Sequence, residues 1–367
     1  MVVLYISCVF GHSDAGPNFS IPASINAQSK IDQVFWINTV DVVREEWQQL
    51  PFFHNLKELG ELCLKELPCP FSHPDLVVFE ELYSIKAVRF AKNLRRKGIP
   101  YIIVPRGSMT KQAFNNHSKW KKVLTHPFLF DPFIKGASLI QYLSEEEWKN
   151  TRRFINLPHV IIPNGIISSD SCKTSFSTDS IKGVFIGRLD VYQKGLDILT
   201  QSIIDLKDYL RAHNFSLSIY GTEKNGVTDL KSTIANAGIH DLVEFKGPIY
   251  GEDKKHILIE SDIFFLTSRS EGHPMGLIEA LDYGLPSFVT TGTGQRKNIE
   301  DAGAGWGCAL DVSEMSQTIK NMVEAKSRYS EMSIAAKQLA KRFEWSKIAE
   351  EFHLTIERII DNGKTKE

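Results

Sequence analysis

The stretch "SRSEGHPMGLIEALDYGLP", Ser268 to Pro286, holds Glu271 and Glu279 eight residues apart with Gly272, Pro274 and Gly276 between them. The run before it, "DIFFLTSRS", reads as a buried strand ending in a polar turn, and "GLIEALDYG" reads as a short helix stopped by Gly284 and Pro286. The turn "EGHPMG" therefore lies at the C-terminal edge of a parallel sheet, where open α/β sheets bind ligands. Backbone N–H groups at such a helix start, around Gly276 and Leu277, attract phosphate, and the glycines let it come close. Carboxylates repel phosphate, so the two glutamates read something else, and sugar and ribose hydroxyls are the donors that suit them. A ligand that is both sugar and phosphate, a nucleotide-sugar, satisfies both demands. Without context the same spacing reads more simply as a helix cap and a solvated helix residue.

The context extends outward in both directions. Strand-like runs at Gly183–Ile186, Leu217–Tyr220, Leu242–Phe245, Ile263–Leu266 and Ser287–Thr290 alternate with helix-like segments. The first half repeats the pattern at Val2–Phe10, Gln33–Asn38, Leu76–Phe79, Tyr101–Val104, Ala137–Tyr142 and His159–Ile162. This predicts an α/β protein of two doubly wound sheets. Just past one strand, "GVFIGRLDVYQKGLDIL" places Arg188 and Lys194 before a helix starting near Gly195. Two cations at a strand end suit a diphosphate whose negative charge grows as it leaves, although alone they read equally as a surface pair.

A chain of 367 residues exceeds one ordinary core and suits two domains with a cleft between them. With 42% hydrophobic and 24% charged residues and a formal net charge of −1, it is globular, and nothing global points to nucleic acid. Six of the thirteen residues from Ser168 to Ser180 are serine, a composition read as a linker, which puts the domains at 1–168 and 169–345. The apolar spacing of Ile348, Phe352, Ile356 and Ile360 predicts a closing helix over 346–367 that packs back on the first domain. Cys8, Cys63, Cys69, Cys172 and Cys308 lack paired metal-ligand spacing and read as reduced thiols. The N-terminus lacks a basic n-region, and no run of about 18 apolar residues occurs, so the expectation is a cytoplasmic protein.

At this point the sequence resembles the retaining GT-B glycosyltransferases of the family 4 type, also described as glycosyl transferases group 1. "GRLD…KGLD", "SRSEGHPMGLIEALDYGLP" and "PNGI" follow that family's order and spacing, and the first half has its "AGP" turn and a "PRGSM" loop. The resemblance implies two Rossmann-like domains, the first for the acceptor and the second for a UDP-, GDP- or dTDP-sugar. It implies that Arg188 and Lys194 hold the donor diphosphate, Glu271 contacts the transferred sugar and Glu279 holds the ribose hydroxyls. Gly187, Gly272, His273, Pro274, Met275, Gly276 and Leu277 complete the donor site, and Gly16 lets the first domain approach the same diphosphate. No cofactor and no metal are implied; consistently, no two aspartates stand two apart, so no D-x-D metal signature is present. Many members carry a histidine where this chain has Arg106. Arg106 and Ser108 therefore enter as acceptor or donor-sugar contacts, with pairing of Arg106 to a neighbouring carboxylate as the other reading. His12 reads either as a cleft residue or as a solvated turn histidine.

Between Glu81 and Asp131 there is no acidic residue, while Lys86, Arg89, Lys92, Arg95, Arg96, Lys97, Arg106, Lys111, Lys119, Lys121 and Lys122 supply eleven positive charges. With Phe128, Leu129, Phe130 and Phe133 following, residues 82–135 suit either an anionic membrane surface or a solvated helix face beside core aromatics. Enzymes of this kind often extend lipid-linked oligosaccharides for capsule, exopolysaccharide or cell-wall polymers, an acceptor class that fits a basic first domain. The reading is thus a retaining hexosyltransferase, peripheral at the inner face of the cell membrane. A sugar-nucleotide epimerase of the same architecture and a non-catalytic partner subunit of a transferase are its rivals.

Overall fold

The computed structural model describes residues 1–11, 16–109, 126–151, 156–173 and 175–364. It divides into two compact units, Met1–Gly165 with Trp345–Glu367, and Ile166–Glu344.

The first unit is built on seven strands: β1 (Val2–Ser7), β2 (Gln33–Asn38), β3 (Phe53–Asn55), β4 (Leu76–Glu80), β5 (Tyr101–Val104), β6 (Leu139–Tyr142) and β7 (His159–Ile161). They pair in parallel in the order β3-β2-β1-β4-β5-β6-β7, so the winding reverses between β1 and β4. Strand β1 stops three residues short of the expected Phe10 because its backbone partner changes. The N–H of Val9 bonds the Oδ1 of Asn38 at 3.0 Å instead of continuing the ladder. Helix Trp345–Lys364 closes this unit: Ile348, Ala349, Phe352 and Ile356 are buried with Val3, Tyr5, Ile21 and Ile25. Its His353 Nδ1 lies 2.9 Å from Asp32 Oδ2, and Asp32 Oδ1 also takes the N-terminal ammonium at 2.7 Å. Burial raises the Asp32 carboxyl, but these bonds, His353 first, win and hold it below its ordinary value.

The second unit has six parallel strands: β8 (Ile181–Ile186), β9 (Phe215–Tyr220), β10 (Val243–Gly247), β11 (Ile263–Leu266), β12 (Ser287–Thr290) and β13 (Gly305–Cys308). The order is β10-β9-β8-β11-β12-β13, with the reversal between β8 and β11. At such a reversal neighbouring crossovers leave in opposite directions and open a crevice at the strands' C-terminal ends. The serine-rich run read as a linker is instead tied into this unit. Ser168 Oγ and the Ser169 N–H donate to the two carboxylate oxygens of Asp282, at 2.9 and 2.7 Å, and Lys173 pairs with buried Asp262 at 3.1 Å. Asp282 accepts Lys337 as well, at 2.9 Å. A composition too polar to build a core still finds partners when a buried carboxylate needs donors. The five cysteines are free thiols, and burial pushes Cys308 up to about 12.

Candidate functional site

Three loops leave the C-terminal ends of β8, β11 and β12 and are bonded to one another. After β8, Asp190 caps a single helical turn, Val191–Lys194, by accepting the Gln193 N–H at 3.1 Å. Gly195 ends that turn with φ of +63°, and a Cβ there would meet the Thr267 carbonyl oxygen at 2.0 Å. Only glycine accepts both the left-handed backbone and this approach. The Thr267 hydroxyl in turn donates to the Lys194 carbonyl at 2.9 Å, and the Arg269 N–H to the Gln193 carbonyl at 2.8 Å. The loop after β12 joins on the other side: the Glu271 N–H donates to the Gly292 carbonyl at 3.1 Å, and the Thr290 hydroxyl to the Ser268 carbonyl at 2.8 Å.

This scaffold brings Lys194 and Glu271 into contact although 77 residues separate them. Lys194 Nζ donates to Glu271 Oε1 at 2.6 Å, and the Ser268 hydroxyl donates to the same oxygen at 2.5 Å. Both side chains of the pair are 12% exposed, so the charges are largely withdrawn from water yet open on one side. Arg188 is nearby in sequence, and its Nη2 donates to Gln193 Oε1 at 2.9 Å. Arg269 makes two bonds of 2.8 Å to the carboxylate of Asp197 and lies over the Tyr192 ring, which locks the turn that carries Lys194.

The helix expected after the glutamate turn spans Met275–Asp282, with Pro274 before it and Leu277 buried. Its first N–H groups are partly committed: Met275 donates to the His273 carbonyl and Leu277 to the Pro274 carbonyl, each at 3.0 Å. A Cβ on Gly276 would sit 3.4 Å from the Ile186 carbonyl oxygen, and one on Gly272 would meet nothing within 4 Å. Gly272 therefore borders open space, and Gly276 has room for a Cβ in ordinary contact with the end of β8. The His273 ring is tilted against Phe343 at 6.0 Å. Glu279 is 35% exposed and pairs with Lys254 from helix Gly251–Glu260. Gly187 donates its N–H to the Tyr220 carbonyl at 3.0 Å.

The expected residues of the first unit behave differently. Gly16 precedes helix Pro17–Gln28, and its carbonyl accepts the Ser20 N–H at 3.0 Å. His12 lies outside the described residues. Arg106 is 5% exposed, and its Nε donates at 2.7 Å to Glu80, itself 3% exposed. Its Nη1 adds Asn164 Oδ1 at 2.9 Å and Ser20 Oγ at 3.1 Å, so the carboxylate-pairing reading is the one realised. The Ser108 hydroxyl is turned back onto the Pro105 carbonyl at 2.6 Å. Beside this pair Glu81 takes a left-handed φ of +86°, and burial pushes its carboxyl up to about 7 against the pull of Arg106. Ser268 and Lys254 are the site residues that sequence reasoning missed. Ser268 was visible three residues before Glu271, whereas nothing in spacing tied Lys254 to Glu279.

Residues 169–339, which carry Arg188, Lys194, Ser268, Glu271 and Glu279, match the family described as glycosyl transferases group 1. Over that span the chain is similar to the group 1 glycosyl transferases. Two curated relatives of the chain are the mannosylfructose-phosphate synthase of Agrobacterium fabrum and the amylovoran biosynthesis glycosyltransferase AmsK of Erwinia amylovora. The first is 27% identical over 179 residues, covering 47% of this chain and 39% of the relative. The second is 31% identical over 120 residues, covering 31% and 29%. The chain spans between 26% and 40% of the length of the four curated relatives it matches. Among solved structures, Anabaena HepE in complex with UDP has a TM-score of 0.72 at 16% identity, over 98% of this chain and all of that one. Sucrose-phosphate synthase of Thermosynechococcus elongatus scores 0.71 at 14% identity, over 99% of this chain and all of that one. Likeness at that identity shows the fold, which is GT-B.

Proposed function

We propose that this chain is a group 1 glycosyltransferase, retaining and of the family 4 type, moving a hexose-type sugar from a nucleotide diphosphate to a hydroxyl of a glycan acceptor. The observation that carries the reading is the Lys194–Glu271 contact of 2.6 Å at the C-terminal edge of the second sheet, with Arg188 six residues before the lysine. An ammonium held by one carboxylate oxygen is placed but not used up, since it has three donors. Lys194 and Arg188 bear on the departing diphosphate, where negative charge develops as the bond from the anomeric carbon to phosphate oxygen breaks. Glu271, steadied by Ser268, accepts hydroxyl donors of the transferred sugar, and Glu279 those of the ribose. The acceptor oxygen bonds the anomeric carbon on the face the diphosphate leaves, and its proton goes to a donor phosphate oxygen. That route asks for no protein base.

The UDP held by HepE supports a uridine donor as the first to try. A lipid-linked oligosaccharide of capsule, exopolysaccharide or cell-wall synthesis is the acceptor class proposed, at the inner face of the cell membrane. No helix among the described residues is long and apolar enough to cross a membrane. Contact with anionic lipid then rests on Lys111, Lys119, Lys121 and Lys122, which lie outside the described residues, and on Phe128, 82% exposed.

The test is to incubate the chain with UDP-, GDP- and dTDP-hexoses, alone and with a lipid-linked acceptor, and read products by NMR. Transfer with the donor's anomeric configuration kept is expected. Inverted product contradicts retention, epimerised donor without acceptor favours the epimerase, and turnover only with an added partner favours the subunit reading.

A further inference from the structure

We propose that the first unit binds a phosphate ester in the groove between helix Ile85–Arg96 and the segment 39–63; resting on the transfer reading, that phosphate is the acceptor's. The groove encloses about 690 Å³ and is lined along one side by Lys86, Arg89, Lys92 and Arg96. The opposite face of the helix, Ala87, Ala91 and Leu94, is buried, and Phe90, also buried, floors the groove, so packing fixes which face the cations occupy. Facing them are Asp41, Glu61 and Lys57, and Lys57 already pairs with Asp41 at 2.8 Å. Lys86 is anchored on the Thr39 carbonyl at 3.0 Å. Arg89, Lys92 and Arg96 form no ion pair with any described residue. Like charges three and four residues apart weaken a helix, and a bound anion relieves that repulsion. Guanidinium groups match the paired oxygens of phosphate.

The place fits a ligand as well as the charge does. Thr39 follows β2, Asn55 ends β3 and Lys86 opens the helix after β4, so the groove sits at the C-terminal edge of its sheet. Of the three remaining described cations of the basic run, Arg106 is buried on Glu80, Arg95 donates to the Pro132 carbonyl at 2.9 Å, and Lys97 is exposed outside the groove. The shared chemistry is a phosphate or diphosphate ester, whether on a lipid-linked glycan or a soluble sugar phosphate.

Isothermal titration of the full chain with inorganic pyrophosphate tests the site. Arg89→Ala/Lys92→Ala/Arg96→Ala, made and titrated in an Arg188→Ala/Lys194→Ala background that removes the proposed donor diphosphate contacts, should weaken binding on the order of tenfold or more, while Lys97→Ala, an exposed cation outside the groove, should retain it in that same background. No binding by the background protein, or equal binding by the triple variant, overturns the site. So does capture by phosphatidylglycerol vesicles, lost in the triple variant, without pyrophosphate binding, which would mark a membrane face. Displacement of pyrophosphate by glucose 1-phosphate identifies a soluble source and displacement by farnesyl diphosphate a lipid-linked one; displacement by neither contradicts the acceptor assignment. UDP binding by the wild type reports on the transfer reading separately, and its absence leaves the groove standing.

Discussion

Lys194 Nζ and Glu271 Oε1 stand 2.6 Å apart across two loops that meet because both leave the same edge of the second sheet. A lysine there that loses its partner, or a glutamate that loses its lysine, leaves a largely buried charge uncompensated.

Lys194→Ala and Arg188→Ala should each cut sugar transfer by on the order of a hundredfold or more, with the loss in kcat rather than KM. Steady-state kinetics on both variants checks this. Near-wild-type kcat in both would remove them from the transition state.

Gly195→Ala should unfold the site without touching a functional group. Its Cβ would fall 2.0 Å from the Thr267 carbonyl oxygen while the backbone stays left-handed. The melting temperature should fall, by roughly 1 kcal/mol of backbone strain plus the cost of parting the two loops, and donor binding should fall with it. An unchanged melting curve would mean the loops separate freely.

Sugar transfer should survive excess EDTA, because the chain has no D-x-D and, on the proposed reading, Arg188 and Lys194 neutralise the diphosphate in place of a metal. Activity abolished by chelation and restored by magnesium or manganese would count against the cation-only account.

Stability should carry the mark of Glu81, whose carboxyl burial pushes up to about 7. A folded state that holds this proton more tightly than the unfolded chain has its full contribution below about pH 4.5 and loses it as pH rises to about 7. Glu81→Gln should therefore match the wild type at low pH and exceed it at about pH 8, read as the difference in melting temperature. A constant difference across that range would remove Glu81 as the cause.

Much of the architecture was legible because buried parallel strands are continuous apolar runs. Gln33–Asn38, Tyr101–Val104, Ile263–Leu266 and Ser287–Thr290 lie where the sequence places them. Strands β3 and β13 were not, for physical reasons. Phe53–Asn55 is three residues long, and Gly305–Cys308 is half glycine, its Gly305 so close to Ser287 that a Cβ would meet that backbone at 2.0 Å. The site's polar anchors were legible where motif spacing carried them, as with Lys194 and Glu271. Arg106 was harder, since its partners Glu80, Ser20 and Asn164 come from distant segments joined only by the sheet.

Calorimetric titration of the chain with UDP, GDP and dTDP probes the proposed donor site itself, because on that reading a nucleotide diphosphate engages Arg188, Lys194 and the turn beside Glu271 before any sugar moves. Saturable binding of at least one of the three is expected, weakened on the order of tenfold or more by Lys194→Ala. Binding of none, or binding indifferent to Lys194, would contradict the donor-site assignment.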